Sequence, residues 1–223
     1  MIQLNSTEAR VLGVLIEKAY TTPGQYPLTL NALVNGCNQK SNREPVVNFD
    51  EETVFDALDA LRNKGLVRQV EMAGSRVPKF RQITGEALAL KPAQLGILCE
   101  LLVRGPQTVG ELRGRATRIA TIDSLEAAAE MLDELITREP TLVKRHPPPP
   151  GSRAELFEQL LAPGIHSISH QSRDEPFPSS SSASATPASS SSRPDSLSDR
   201  VDSLEQRLAE LESQFRDLRN ELS

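Results

Sequence analysis

The sequence predicts a mainly α-helical protein with small β-hairpins, an α+β chain. Two observations predict it. An order of three helices and two short strands occurs twice in the first 163 residues, and an unbroken apolar heptad occupies the C-terminus beyond a stretch of almost pure Ser, Ala, Pro and Thr. The 223 residues suit one or two small domains. Apolar residues make up 38%, aromatics 4%, and Trp is absent. That is lean for one large core and suits small helical units filled by Leu, Ile, Val and Ala.

In the first repeat Asn5 is placed to cap a helix, with Glu8 three residues on. That helix is read as burying Ala9, Leu12, Leu15, Ile16 and Ala19. Thr21 to Pro27 is a turn, and a short helix follows from Thr29 to Asn35. Asp50 caps a third helix, expected to bury Val54, Phe55, Leu58 and Leu61 and to stop at Gly65. Leu66 to Val70 alternates as a strand, 73–76 turns, and Lys79 to Ile83 returns. The second repeat follows the same order. Pro92 opens a helix at its first position and Gly105-Pro106 ends it. Thr108 caps a short helix to Arg115, and Asp123 a longer one to Arg138, its apolar face read as Leu125, Ala129, Leu132 and Ile136. Leu142–Arg145 and Ala154–Glu158 flank a Pro147–Gly151 loop. Three helices followed by a hairpin is the winged-helix plan. The chain therefore divides into one such domain at 1–88 and a second at 89–163.

From Pro176 to Pro194 the sequence is too poor in apolar side chains to offset chain ordering, so 164–194 is expected to be a disordered linker. Residues 195–223 follow as a coiled-coil helix. Leu197, Val201, Leu204, Leu208, Leu211, Phe215, Leu218 and Leu222 alternate in steps of four and three. In a parallel pair, Arg200 faces Glu205 and Arg207 faces Glu212. The expected assembly is a homodimer through Val201, Leu204, Leu208, Leu211, Phe215 and Leu218.

Three strings stand out: Asn38–Pro45 (NQKSNREP), Gly74–Lys79 (GSRVPK) and Arg104–Arg113 (RGPQTVGELR). They resemble the YceH family of bacterial proteins, over roughly residues 3–163. The resemblance implies a tandem winged-helix fold. It implies no biochemical activity and so carries over no catalytic residue.

Several function classes lose support. No apolar stretch approaches the ~20 residues that span a bilayer, and Met1–Ser6 lacks the basic and apolar regions of a signal peptide. The expected location is the cytoplasm. Cys37 and Cys99 form no metal or redox motif and are read as buried thiols. His146, His166 and His170 have no carboxylate or thiol at ligand spacing. No nucleophile motif or phosphate-binding glycine loop appears. The chain is expected to be no enzyme and to need no cofactor or metal.

Two binding readings remain. A winged-helix DNA reader lays its third helix in the major groove. Here the outward stripes of the third helices are acidic: Glu52, Asp56 and Asp59 in the first repeat, Asp123, Glu130 and Glu134 in the second. A carboxylate about 6 Å from a phosphate costs roughly 0.7 kcal/mol even at the dielectric of water, so three cost on the order of 2 kcal/mol. The first reading is therefore a protein-interaction scaffold, with Glu52, Asp56, Asp59, Glu130 and Glu134 as its partner face. The alternative is a DNA-binding regulator gripping phosphates through Lys40, Arg43, Arg68, Arg76, Lys79, Arg81, Arg113 and Arg115. Net charge weakens it: residues 1–85 carry +1 and residues 86–163 carry −2, far from a basic footprint.

Overall fold

The computed structural model describes residues 2–71 and 77–166, and these fall within one compact unit. The predicted turn at 73–76 and the predicted coiled coil both lie entirely outside the described residues. Most of the linker, from residue 167 on, does too. The chain is α+β, helical with small antiparallel sheets.

The first repeat starts with α1 (Ser6–Thr21). Its start is a complete capping box: the Asn5 side chain accepts from the Glu8 N–H, and Glu8 accepts from the Asn5 N–H, both at 2.8 Å. Then come β1 (Leu28–Thr29), α2 (Leu30–Cys37), α3 (Glu51–Asn63), β2 (Val67–Val70) and β3 (Lys79–Gln82). Thr29 caps α2 and Asp50 caps α3. Helix α3 ends where Gly65 adopts φ +70°, a conformation that costs glycine little. The strands join in the order β1-β3-β2, with Leu28 opposite Phe80 and Arg68 opposite Arg81.

A four-residue helix, α4 (Thr84–Ala87), links the repeats. The second repeat runs α5 (Pro92–Arg104), α6 (Val109–Ala116), α7 (Leu125–Thr137), β4 (Val143–His146) and β5 (Leu156–Gln159). Thr108 caps α6 in a box with Glu111. Gln107 bridges Phe157, where the first repeat has β1 against β3. The order of three helices and a hairpin therefore repeats, with a single bridge at Gln107 in the place of β1.

Four readings of the sequence are corrected. Ser124, not Asp123, caps α7, through the Ala127 N–H. Ala19 is only half-buried. Phe55 is 46% exposed, and the core positions of α3 are Val54, Ala57, Leu58 and Leu61. These are spaced i, i+3, i+4, i+7, the stripe that a half-buried helix turns inward. Leu125 is also 46% exposed, while α7 buries Ala128, Leu132 and Leu135.

The repeats share one core through α1 and α5, which bury Glu8–Glu17 and Gln94–Val103 without a break. They cross at Gly13, whose carbonyl accepts from the Cys99 thiol at 3.3 Å. A Cβ on Gly13 would stand 2.5 Å from a Val103 methyl and 3.3 Å from the Leu102 Cβ. Both cysteines are buried free thiols, and burial pushes the Cys37 thiol up to about 12. Packing continues to His166, past the predicted end of the second domain. The His166 ring lies against Gly105, and its Nε2–H donates to the Glu44 carbonyl at 2.7 Å. Gly105 has φ +83° and no room for a side chain beside that ring.

Two measurements test this packing. Gly13→Ala should lower stability by about 1–3 kcal/mol through the forced contact with Val103. Gly114→Ala, with open space at an exposed position of α6, should leave stability unchanged or raise it by up to about 1 kcal/mol. Equal urea midpoints for the two variants would remove Gly13 as the point of close approach. Burial holds the His166 pKa below its ordinary value, with Arg10 adding to the shift and the Glu44 carbonyl opposing it. A depressed histidine binds fewer protons folded than unfolded, so its contribution is full above the unfolded value. It is lost as pH falls through about 6.5 toward the lower folded value. Wild type should thus lose more stability than His166→Asn between pH 7.5 and 5.5.

Candidate functional site: acidic helix faces, basic hairpin and inter-repeat cleft

The outer face of α3 carries Glu52, Phe55, Asp56 and Asp59, all exposed. Asp59 pairs with Arg62 at 2.6 Å on the surface, which is worth little. Glu52 and Asp56 have no cationic partner among the described residues. An aromatic ring is therefore set among carboxylates, two of them uncompensated. Helix α7 presents a similar face. Leu125, Glu126, Glu130, Asp133 and Glu134 are exposed. Asp133 pairs with Arg145. Glu134 lies 3.4 Å from Lys91 and accepts from Gln94 at 2.6 Å. The predicted partner-face residues all reach the surface. The two apolar groups among them were missed, having been read into the core.

The basic candidates scatter. Arg68, Lys79 and Arg81 share the outer face of the β2–β3 hairpin, because Arg68 opposes Arg81 and Lys79 opposes Val70. Arg81 lies 3.4 Å from Glu86. Arg76 is outside the described residues. Arg113 is committed to the loop before α7, donating to the carbonyls of Ile122 at 3.2 Å and Asp123 at 2.8 Å. Arg115 donates to Gln107 at 2.5 Å and pairs with Glu111 at 3.3 Å.

Arg43 is no surface group at all, which corrects its reading as a phosphate contact. It is 4% exposed, bonds the carboxylate of Glu17, and donates to the Gly36 and Asn42 carbonyls at 3.2 and 2.8 Å. It belongs to a buried ionic network that joins the repeats. Glu17 on α1 also pairs with Arg118 at 2.9 Å. Arg118 in turn meets Glu100 on α5 at 2.6 Å, and Glu100 meets Arg104 at 2.9 Å. Arg104 reaches back to the Asn42 side chain. The partners lie far apart in sequence, so no local motif announced them. Lys40 lies exposed at a cleft over this network, beside Lys18, Ser41 and Asn42.

Removing one member of a buried pair leaves the other charged and unsatisfied, at about 3–5 kcal/mol. Glu17→Ala should cost that much in urea unfolding, since it strands the buried Arg43. Arg62→Ala, on the exposed side of α3, should change stability by less than about 1 kcal/mol. A loss below 1 kcal/mol for Glu17→Ala would show that the network does not hold the repeats.

A family model described as "Protein of unknown function, DUF480" matches residues 4–152. A "UPF0502 protein" from Geotalea daltonii is 51% identical over 171 residues, covering 77% of this chain and 78% of the relative. One from Geobacter sulfurreducens is 50% identical over 175 residues, covering 78% and 79%. One from Solibacter usitatus is 53% identical over 163 residues, covering 73% and 78%. The YceH resemblance is consistent with these matches. The chain belongs to the DUF480 family, the uncharacterised bacterial proteins also described as UPF0502.

Proposed function

We propose that this protein is a non-enzymatic interaction module, two winged-helix units in tandem, that takes a protein partner on the outward faces of α3 and α7. The observation that carries this reading is Phe55, 46% exposed between Glu52, Asp56 and Asp59. An exposed aromatic is a typical anchor of a protein interface. Carboxylates around it select a partner with Lys or Arg beside an apolar pocket. The same carboxylates oppose entry of α3 into a DNA groove. The winged-helix reading rests on the order of elements in each repeat and on the sheet order β1-β3-β2. The module is further proposed to be a cytoplasmic homodimer, paired through Val201, Leu204, Leu208, Leu211, Phe215 and Leu218. Among the described residues no helix is long and apolar enough to cross a membrane.

A second reading has its own observation. Arg68, Lys79 and Arg81 on one hairpin face form a basic strip able to lie along phosphates.

The two readings separate by substitution. Phe55→Ala combined with Asp56→Lys should abolish capture of the protein's partner, while a Lys79→Ala, Arg81→Ala variant retains it. The first pair is exposed, so both variants should fold. A generic duplex followed by anisotropy at about 50 and 200 mM salt tests the alternative. Steeply salt-dependent binding that the hairpin variant loses would favour DNA. Partner capture unchanged by the α3 variant would overturn the first reading.

A further inference from the structure

We propose that the cleft between the repeats is a binding site for a small phosphate-bearing anion. The cleft has a volume of about 580 Å³ and is lined by Glu17, Lys18, Lys40, Ser41, Asn42 and Arg118, among others. That is within the roughly 300–1,000 Å³ of small-ligand sites. Its walls come from the end of α1, the loop after α2 and the loop after α6, so a ligand there touches both repeats.

The charge balance favours an anion. Lys18 and Lys40 make no ion pair with any described residue. Behind them Arg43, Arg104 and Arg118 share only Glu17 and Glu100. Those five cations and two carboxylates leave three positive charges in one place. Opposing them, α1, α2 and α6 all end near the cleft. Each helix C-terminus carries about half a negative charge, roughly 1.5 in all, and acts only within its last turn. The cations prevail by more than one full charge.

The donors are placed to match. The backbone N–H groups of Lys40, Ser41 and Asn42 donate to no described acceptor. Asn42 is left-handed at φ 61° and Ser41 is not. These three N–H groups lie in the loop that lines the cleft and are available to an anion. Arg118 spends Nε and Nη2 on Glu100 and Nη1 on Glu17. Two of its five N–H groups remain. The Thr21 and Thr22 hydroxyls contribute no donor, since they point back to the carbonyls of Glu17 and Lys18 at 2.9 and 3.2 Å. A duplex is a poorer fit, since it draws on about six to ten phosphate contacts, and only two cations lining this cleft are unpaired. A net positive charge of that size, confined to one small cleft, suits a diphosphate or a phosphate monoester.

The test is calorimetric titration of the full chain with inorganic pyrophosphate at constant ionic strength. Saturable binding is expected, weakened at least about tenfold in Lys18→Ala, Lys40→Ala, whose ligand-free Tm should stay within about 2 °C of wild type. If that double variant folds poorly, Lys40→Ala alone, an exposed loop change, should still weaken binding several-fold. No saturable binding up to about 10 mM would overturn the site. So would equal affinity in the variants. Displacement of pyrophosphate by a generic duplex would overturn the assignment to a small anion.

Discussion

Helices α1 and α5 are buried on every side, and the rest of the structure follows from that constraint. An ordinary surface helix turns one stripe inward and leaves its charges in water. These two bury ten consecutive residues each, so Arg10, Glu17 and Glu100 go inside with the leucines. A buried charge persists only when paired and hydrogen-bonded. Glu17 therefore requires Arg43 and Arg118, and Glu100 requires Arg104 and Arg118. Arg10 has no carboxylate contact and instead donates to the carbonyls of Cys37 at 3.3 Å and Pro45 at 2.6 Å. Burial still pulls its pKa down, and the neighbouring Arg43 adds to that. Such pairs add little net stability over an apolar core. Their consequence here is geometric: Arg118 bonds one carboxylate from each repeat and so sets the register between them.

Close approach of the two helices also explains their small residues. Gly13 faces Val103 and Leu102 with no space for a methyl group. The Cys99 thiol fits against the Gly13 carbonyl as a small apolar group with a weak donor. Gly105 and His166 form a second tight junction, where the chain beyond β5 folds back against the α5 terminus and the Glu44 loop. The loop from Gln39 to Pro45 is thus held from three directions. Arg43 fixes its interior, the Glu44 N–H donates to the Val103 carbonyl at 2.8 Å, and His166 bonds the Glu44 carbonyl.

Much of the local structure was legible because local chemistry dictates it. Asn5, Asp50 and Thr108 announce their helices by capping, and Gly65 and Gly105 mark the ends. The inward faces of α3 and α7 differ from their sequence reading. In α3 Phe55 lies outside, and Ala57 completes the i, i+3, i+4, i+7 stripe with Val54, Leu58 and Leu61. Leu125 and Ala128 repeat the exchange in α7. Close-packed crossings take alanines, and the larger apolar groups are left outside. Helical period singles out the Val54, Ala57, Leu58, Leu61 stripe of α3, whereas in α7 the stripes through Leu125 and through Ala128 both keep the period, and packing chooses between them. Arg43 and Glu17 were not legible in this way. Nothing near either one names a partner 26 residues distant, and a buried ion pair leaves no periodic trace.

The exposed apolar residues therefore carry more weight than isolated surface hydrophobics normally do, since single ones are common and need no explanation. Phe55 and Leu125 occur on the corresponding helix of each repeat, each beside carboxylates that make no ion pair among the described residues: Glu52 and Asp56 by the one, Glu126 by the other. The arginines of the described residues are largely occupied elsewhere. Arg43, Arg104 and Arg118 answer Glu17 and Glu100, and Arg113 and Arg115 hold the loops around α6. Burying α1 and α5 thus sorts the charge of the described residues. It draws guanidinium groups toward the junction and leaves the third helices acidic, with an apolar group set in each. A surface of that kind is poor at holding phosphate and well matched to a basic protein segment that brings its own apolar pocket.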